Sequence, residues 1–139
     1  MMLGNVNYIA VLVSALAAFV VGWFWYSPNV FGKTWLKLMG WNDKKAKEMH
    51  GKNMTQSLII GFISTLVMAY VLAQMLVYMG AVTFMEGVLT AFWLWLGFVA
   101  TMQIGSVLWE GKPAQLFCIN TLHSLVSMAI AGGILAVWV

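Results

Sequence analysis

The sequence predicts an all-α, polytopic membrane protein with four transmembrane helices. Hydrophobic residues make up 63% of the chain and charged residues 8%, whereas a soluble domain carries about 25% charged residues. The apolar residues form four runs, each long enough to supply the roughly 20 residues that a helix needs to cross a bilayer. We therefore expect one transmembrane domain, residues 1–139, with spans at about residues 6–26, 54–79, 85–109 and 113–138.

Span one ends in an aromatic cluster that is followed by Ser27-Pro28. Proline disfavours helix at the residue before it, so we expect the chain to leave the membrane here. Asn5 is placed to cap the span by accepting a hydrogen bond from a first-turn N–H. No lysine or arginine precedes the span, which is also too long for the apolar part of a signal peptide, so we expect it to stay uncleaved.

The loop at residues 27–53 contains two short helical patterns. The first repeats apolar residues at helical spacing, with lysines on the other side: Phe31, Trp35, Leu38 and Met39. This pattern is typical of a helix that lies in the headgroup plane, and Gly40 is expected to end it. Asn42 is placed to cap a second short helix at residues 43–49.

The charge of this loop predicts the orientation of the chain. It holds six lysines against Asp43 and Glu48, and the sequence contains no arginine. The positive-inside rule then places the loop in the cytoplasm and both termini outside, and we expect the bacterial inner (plasma) membrane. The bilayer is thus an expected partner, while the absence of arginine argues against nucleic-acid binding.

Capping motifs mark the starts of the later spans. Asn53 with Gln56, and Thr83 with Glu86, have the spacing of a capping box. A cap explains Glu86 better than ion binding does, since an acidic residue is favourable at a helix start. Pro113 suits the first helical position of span four, where no N–H donor is needed.

Small residues recur every four positions in the first three spans and predict helix-packing faces. They are Ala10, Ser14, Ala18 and Gly22 in span one, Ser57, Gly61, Thr65, Ala69 and Ala73 in span two, and Gly97, Thr101 and Gly105 in span three. We expect spans one and two to pack together through these faces.

Polar residues at i, i+3, i+7 spacing predict an intramembrane site between spans three and four. They are Gln103, Ser106 and Glu110 in span three and Asn120, His123 and Ser127 in span four. In an antiparallel hairpin Gln103 is level with Asn120, and a hydrogen bond between their side-chain amides would contribute about 0.6–2 kcal/mol. His123 falls near mid-bilayer, where ionisable groups are often functional; the alternative is a neutral histidine bonded to a neighbouring helix.

The sequence resembles a bacterial family of small membrane proteins of unknown function, domain of unknown function 1761. The resemblance is carried first by a loop motif: Trp25, Tyr26, Ser27, Pro28, Phe31, Gly32, Lys33 and Trp35, followed by Met39-Gly40. Further matches are Trp95-Leu96-Gly97-Phe98, Glu110-Gly111-Lys112-Pro113, and Asn120 near Gly132 and Trp138. The resemblance covers nearly the whole chain and implies a four-helix membrane protein without an assigned activity.

No motif for catalysis, phosphate binding or metal binding occurs in the sequence, so we expect no catalytic residues, cofactor or metal. The single cysteine, Cys118, excludes an intramolecular disulfide.

Three functions are compatible with the sequence. We expect first an oligomerising or accessory subunit, whose partners are copies of itself or other membrane subunits. The alternatives are a small permease or channel subunit with a polar path along spans three and four, and a membrane enzyme of unrecognised type.

Overall fold

The computed structural model describes residues 6–51 and 54–138, with only the backbone of Ala46, His50 and Gly51. All regular structure in these ranges is helical: α1 (Tyr8–Trp25), α2 (Gly32–Met39), α3 (Asp43–Gly51), α4 (Met54–Met79), α5 (Phe84–Leu108) and α6 (Ala114–Val137). Four of them, α1, α4, α5 and α6, are long and apolar enough to cross a membrane. The predicted fold class is therefore confirmed.

The helix starts differ in part from the predictions. Asn7 caps α1, because its Oδ1 accepts from the N–H groups of Ile9 and Ala10 at 3.0 and 3.2 Å; Asn5 lies outside the described residues. Pro113 stands at the cap position of α6 rather than inside the helix, since its ψ of 141° is extended.

Two other predicted caps are confirmed. Asn42 Oδ1 accepts from the Lys45 N–H at 2.7 Å, and Thr83 and Glu86 form the reciprocal capping box at the start of α5. Gly40 ends α2 with a positive φ of 74°, which is the conformation that favours glycine. The pair Asn53 and Gln56 cannot be compared, because Asn53 lies outside the described residues.

Helix α6 occupies the centre of the bundle and contacts α1, α4 and α5. Its closest contact is with α5, where Gly87 and Gly132 face each other backbone to backbone. A Cβ atom added at Gly87 would overlap the carbonyl group of Gly132, and Ala91 and Ala136 continue the contact. This contact of small residues joins α5 to α6, and it does not involve the stripe of Gly97, Thr101 and Gly105 that was predicted from the sequence.

The predicted packing of α1 against α4 is present. Ala10, Ser14 and Ala18 are buried on α1, and Ala69 and Ala73 are buried on α4. The remaining members of these two stripes lie toward the loop end of the bundle. There Gly22 approaches α6, Gly61 and Thr65 are half-buried, and Ser57 is exposed.

Helix α5 is interrupted, which the sequence did not predict. An α-helical stretch, Phe84–Trp95, passes into a π-helical turn at Leu96–Ala100, and two short α-helical pieces follow. From the π turn onward the helix is largely exposed, with Phe98 71% and Met102 77% accessible. The stripe Gly97, Thr101 and Gly105 lies in this part: Gly97 and Thr101 are exposed, and a Cβ at the half-buried Gly105 would meet only Trp109, one turn along the same helix.

Candidate functional site

The loop motif folds into a compact turn at the end of α1. The Ser27 carbonyl accepts from the N–H groups of Val30 and Gly32, at 3.1 and 2.9 Å, and the Trp25 carbonyl accepts from Phe31 at 3.1 Å. Gly32 is buried against this turn, and a Cβ at its position would overlap the carbonyl oxygen of Tyr26. The turn therefore requires glycine at residue 32.

Two side chains of the motif attach it to α6. The Trp25 Nε1–H donates to the carbonyl of Ile119 at 3.0 Å, and the Tyr26 hydroxyl donates to Asn120 Oδ1 at 2.7 Å. A phenolic hydroxyl is protonated at physiological pH, so Tyr26 remains a donor.

Aromatic rings packed edge to face extend this attachment to the two short helices. Trp35 of α2 lies edge-on to Tyr26, with 6.1 Å between ring centroids, and Trp41 is 5.2 Å from Trp35. The ammonium group of Lys45 lies 5.5 Å from the Trp41 ring, a distance that allows a cation–π contact. We name this group of rings, Trp25, Tyr26, Trp35 and Trp41, the aromatic anchor.

His123 packs directly against the aromatic anchor. Its ring is 5.1 Å from Tyr26 and 6.2 Å from Trp25, and its Nε2 is 3.2 Å from Ser127 Oγ, one turn along α6. On the α1 side, a Cβ at Gly22 would come within 2.8 Å of that nitrogen. The glycine on α1 therefore makes room for the imidazole.

The six polar residues predicted as a site line two cavities. The first, the polar cleft, has a volume of about 290 Å³ and contains Gln103, His123 and Ser127. The second, the turn cavity, has a volume of about 510 Å³ and contains Gln103, Ser106, Glu110 and Asn120. Only Gln103 reaches both cavities.

Four further polar residues, not predicted as site residues from the sequence, line these cavities: Ser64, Thr65 and Ser124 in the polar cleft and Lys112 in the turn cavity. The three hydroxyls donate to carbonyls of their own helices, so their oxygens are left as acceptors. Any serine or threonine in a helix can form this bond to the carbonyl four residues earlier, so the sequence offers no signal that separates Thr65 from a packing residue.

The predicted hydrogen bond between the side-chain amides of Gln103 and Asn120 is absent from the described part of the chain. Both residues line the turn cavity, but Asn120 Oδ1 accepts from Tyr26 instead. The partner of Asn120 thus comes from the loop motif, far away in sequence.

No three histidine, cysteine, aspartate or glutamate side chains come together within residues 6–51 and 54–138. The polar cleft instead offers hydroxyls, the His123 imidazole and the thioethers of Met68 and Met128. Its lining contains no carboxylate and no lysine, so the cleft carries no fixed charge, and its polar groups are set in a mostly apolar wall.

Comparison with known proteins gives one match. Residues 9–136 match a family described as "Protein of unknown function (DUF1761)". No curated protein and no solved structure matches the sequence. The match covers the loop motif, the polar cleft and the turn cavity.

Proposed function

We infer the function of this chain from its own structure, because it belongs to a family, DUF1761, that carries no assigned function. The function proposed is that of an integral membrane subunit that assembles with a second copy of itself through α5. The proposal includes no catalytic step.

The observation that carries this proposal is the unpacked small-residue face of α5. A Cβ added at Gly97 would meet no atom within 4 Å, and Thr101 is exposed. Small residues in a membrane helix allow a second helix backbone to approach closely, where dispersion drives association. The same face on two copies is self-complementary about a two-fold axis, which is the commonest symmetry of oligomers.

Gln103 lies on another face of α5, because a helix turns about 200° over the two residues that separate it from Thr101. Its side chain lines both cavities and takes no part in the proposed interface.

Disulfide cross-linking in membranes tests the assembly. In a Cys118→Ala background, Thr101→Cys places a thiol on the proposed interface, and Ile63→Cys places one on the exposed face of α4. We expect oxidation to give a covalent dimer with Thr101→Cys and not with Ile63→Cys. Equal cross-linking of the two variants would contradict the proposal.

Gly97→Leu separates assembly from folding, since one chain has open space at that position. We expect this variant to fold, as judged by its thermal unfolding, but to run as a monomer in native mass measurement in mild detergent. A wild-type chain that is itself monomeric there and in lipid nanodiscs would refute the dimer.

The polar cleft favours a second candidate, a small permease subunit. All four long helices contribute to it: Ala18 from α1, Ser64 and Thr65 from α4, Gln103 from α5, and His123, Ser124 and Ser127 from α6. Polar and ionisable residues that line a shared cavity between membrane helices often mark the path of a substrate. Because the lining carries no carboxylate or lysine, its substrate would be a small uncharged polar solute.

Flux into proteoliposomes tests this second candidate. Stopped-flow light scattering with glycerol and urea reports entry of uncharged solutes. His123→Ala and Gln103→Leu alter the cleft, and Ser57→Ala, on the exposed loop-end turn of α4, serves as the control. We expect the two cleft variants to change a flux that the control retains. Absent flux, or equal flux in all four proteins, would remove the candidate.

A further inference from the structure

The turn cavity contains two opposite charges that do not neutralise each other. Glu110 and Lys112 both line it and both are exposed. Neither forms an ion pair with any residue that the structure describes. The turn between them is fixed by the positive φ of Gly111, 69°, and by the Lys112 N–H, which donates to the Ser106 carbonyl at 3.0 Å. One cavity thus contains a carboxylate and an ammonium group that are not paired with each other.

Neutral hydrogen-bonding groups surround the two charges. The Ser106 hydroxyl and the Gln103 amide, both in the lining, have no partner within the described ranges. Asn120 uses its Oδ1 to accept from Tyr26, which leaves its NH₂ group free to donate. The cavity therefore offers donors and acceptors beside a positive and a negative charge.

The remaining lining is apolar, and the cavity opens at a helix end. Met102, Leu116 and Phe117 form its apolar wall, and Trp109 at the rim is 86% accessible. Tryptophan at the end of a membrane helix is typical of the headgroup level. A ligand there would meet hydrocarbon on one side and water on the other, as a lipid does.

We propose that the turn cavity binds a zwitterionic phospholipid with a primary ammonium group, of the phosphatidylethanolamine class. Its ammonium group donates to Glu110, and its phosphate accepts from Lys112 and the Asn120 amide. Hydrogen bonds between charged groups are the strongest available to such a site. A choline headgroup has no N–H to donate, and a glycerol headgroup has no charge for Glu110. This inference does not depend on the dimer.

Native mass spectrometry with competing lipids tests the proposal. The detergent-solubilised chain is incubated with equal amounts of phosphatidylethanolamine, phosphatidylcholine and phosphatidylglycerol that carry the same acyl chains. We expect phosphatidylethanolamine to be retained about two- to fivefold over phosphatidylcholine, as befits an exposed charge pair. Retention should fall stepwise as the nitrogen is methylated. Equal retention of all three lipids would overturn the proposal.

Variants assign the preference to the two charges. We expect Glu110→Gln to remove the difference between phosphatidylethanolamine and phosphatidylcholine, and Lys112→Gln to lower retention of all three lipids. Glu48→Gln and Lys37→Gln, exposed on α3 and α2, are the matched controls and should change neither result. Equal effects of Glu110→Gln and Glu48→Gln would overturn the assignment.

A soluble headgroup distinguishes a lipid from a free small molecule with the same chemistry. Glycerophosphoethanolamine is added at the concentration of the lipid. We expect the lipid to stay bound, because its acyl chains add contact with the apolar wall. Displacement at equal concentration would overturn a lipid as the ligand and point to a free phosphoethanolamine compound.

Discussion

Tyr26 and Asn120 join two parts of the chain that are 94 residues apart in sequence. The bond is short, 2.7 Å, and the neighbouring Trp25 bonds to the backbone of the same turn of α6. Asn120 also lines the turn cavity. The loop motif is therefore coupled to the proposed lipid site through one asparagine side chain.

A double-mutant cycle measures this coupling. Tyr26→Phe removes the hydroxyl, and Asn120→Ala removes its acceptor. We expect a coupling energy of about 0.5–1.5 kcal/mol, the range of hydrogen bonds between membrane helices, from unfolding in mixed detergent. The pair Thr90→Ala and Asn120→Ala is the control, because Thr90 bonds within α5 to Glu86. A Tyr26–Asn120 coupling as small as that of the control pair would contradict the bond.

At the level of residues, the sequence predicted the polar positions but not their partners. The spacing of Asn120, His123 and Ser127 holds on α6, and His123 does lie beside Ser127. The hydrogen bond between Gln103 and Asn120 is absent although both side chains line the turn cavity. Asn120 Oδ1 accepts from Tyr26 instead, and local spacing along spans three and four carries no information about a partner from the loop motif.

At the scale of elements, the glycine contact between α5 and α6 is the tightest helix crossing. Gly87 and Gly132 contact each other's backbone, and Gly133 receives the ring of Phe84. Close backbone approach of this kind supplies the packing that lipid cannot replace. From the π turn onward α5 has no comparable glycine contact, so we expect the half before the π turn to be the more stable one.

Alanine substitution tests this difference. Gly87→Ala places a Cβ against the Gly132 carbonyl group, and we expect a loss of about 1–3 kcal/mol in unfolding free energy from overpacking. Gly97→Ala has open space and removes a flexible residue from a helix, so we expect no loss and a gain of up to about 1 kcal/mol. Equal losses in the two variants would mean that the close contact does not stabilise α5.

Helix positions and caps were largely predictable because each depends on neighbouring residues. Apolar run length, Gly40, and the Thr83–Glu86 box are such local signals. Partner choice is not local. A small residue on a membrane helix permits close approach of another helix. Gly87 and Gly97 are equally small, and the sequence does not distinguish them. The path of α5 relative to α6 in the folded bundle decides that Gly87 contacts α6 and Gly97 does not.

At the scale of the whole molecule, the loop at residues 27–53 and the turn at Glu110–Pro113 lie at the same end of the bundle. Trp25 and Tyr26 contact α6 there, while the Gly80–Thr83 turn lies at the opposite end, as the alternating helices require. The five loop lysines that the structure describes, Lys33, Lys37, Lys44, Lys45 and Lys47, thus share one end with Lys112 in the turn. The proposed cytoplasmic orientation assigns that end to the inside.

Thiol labelling tests the orientation. In the Cys118→Ala background, Lys44→Cys marks the lysine-rich end, and Val82→Cys, exposed at the opposite end, serves as its matched counterpart. We expect a membrane-impermeant maleimide to label Val82→Cys in intact cells and Lys44→Cys only after permeabilisation. The reverse pattern would place the loop outside.

The central position of α6 also has a consequence for biosynthesis. This helix touches α1, α4 and α5, yet the ribosome makes it after all three. Until it enters the membrane, the Trp25 and Tyr26 side chains have no acceptors and Gly87 has no facing backbone. Helices α1 and α4 share a direct contact that does not need α6, whereas the close contact of α5 is with α6. We therefore expect α5 to join the bundle only after α6 has entered the membrane.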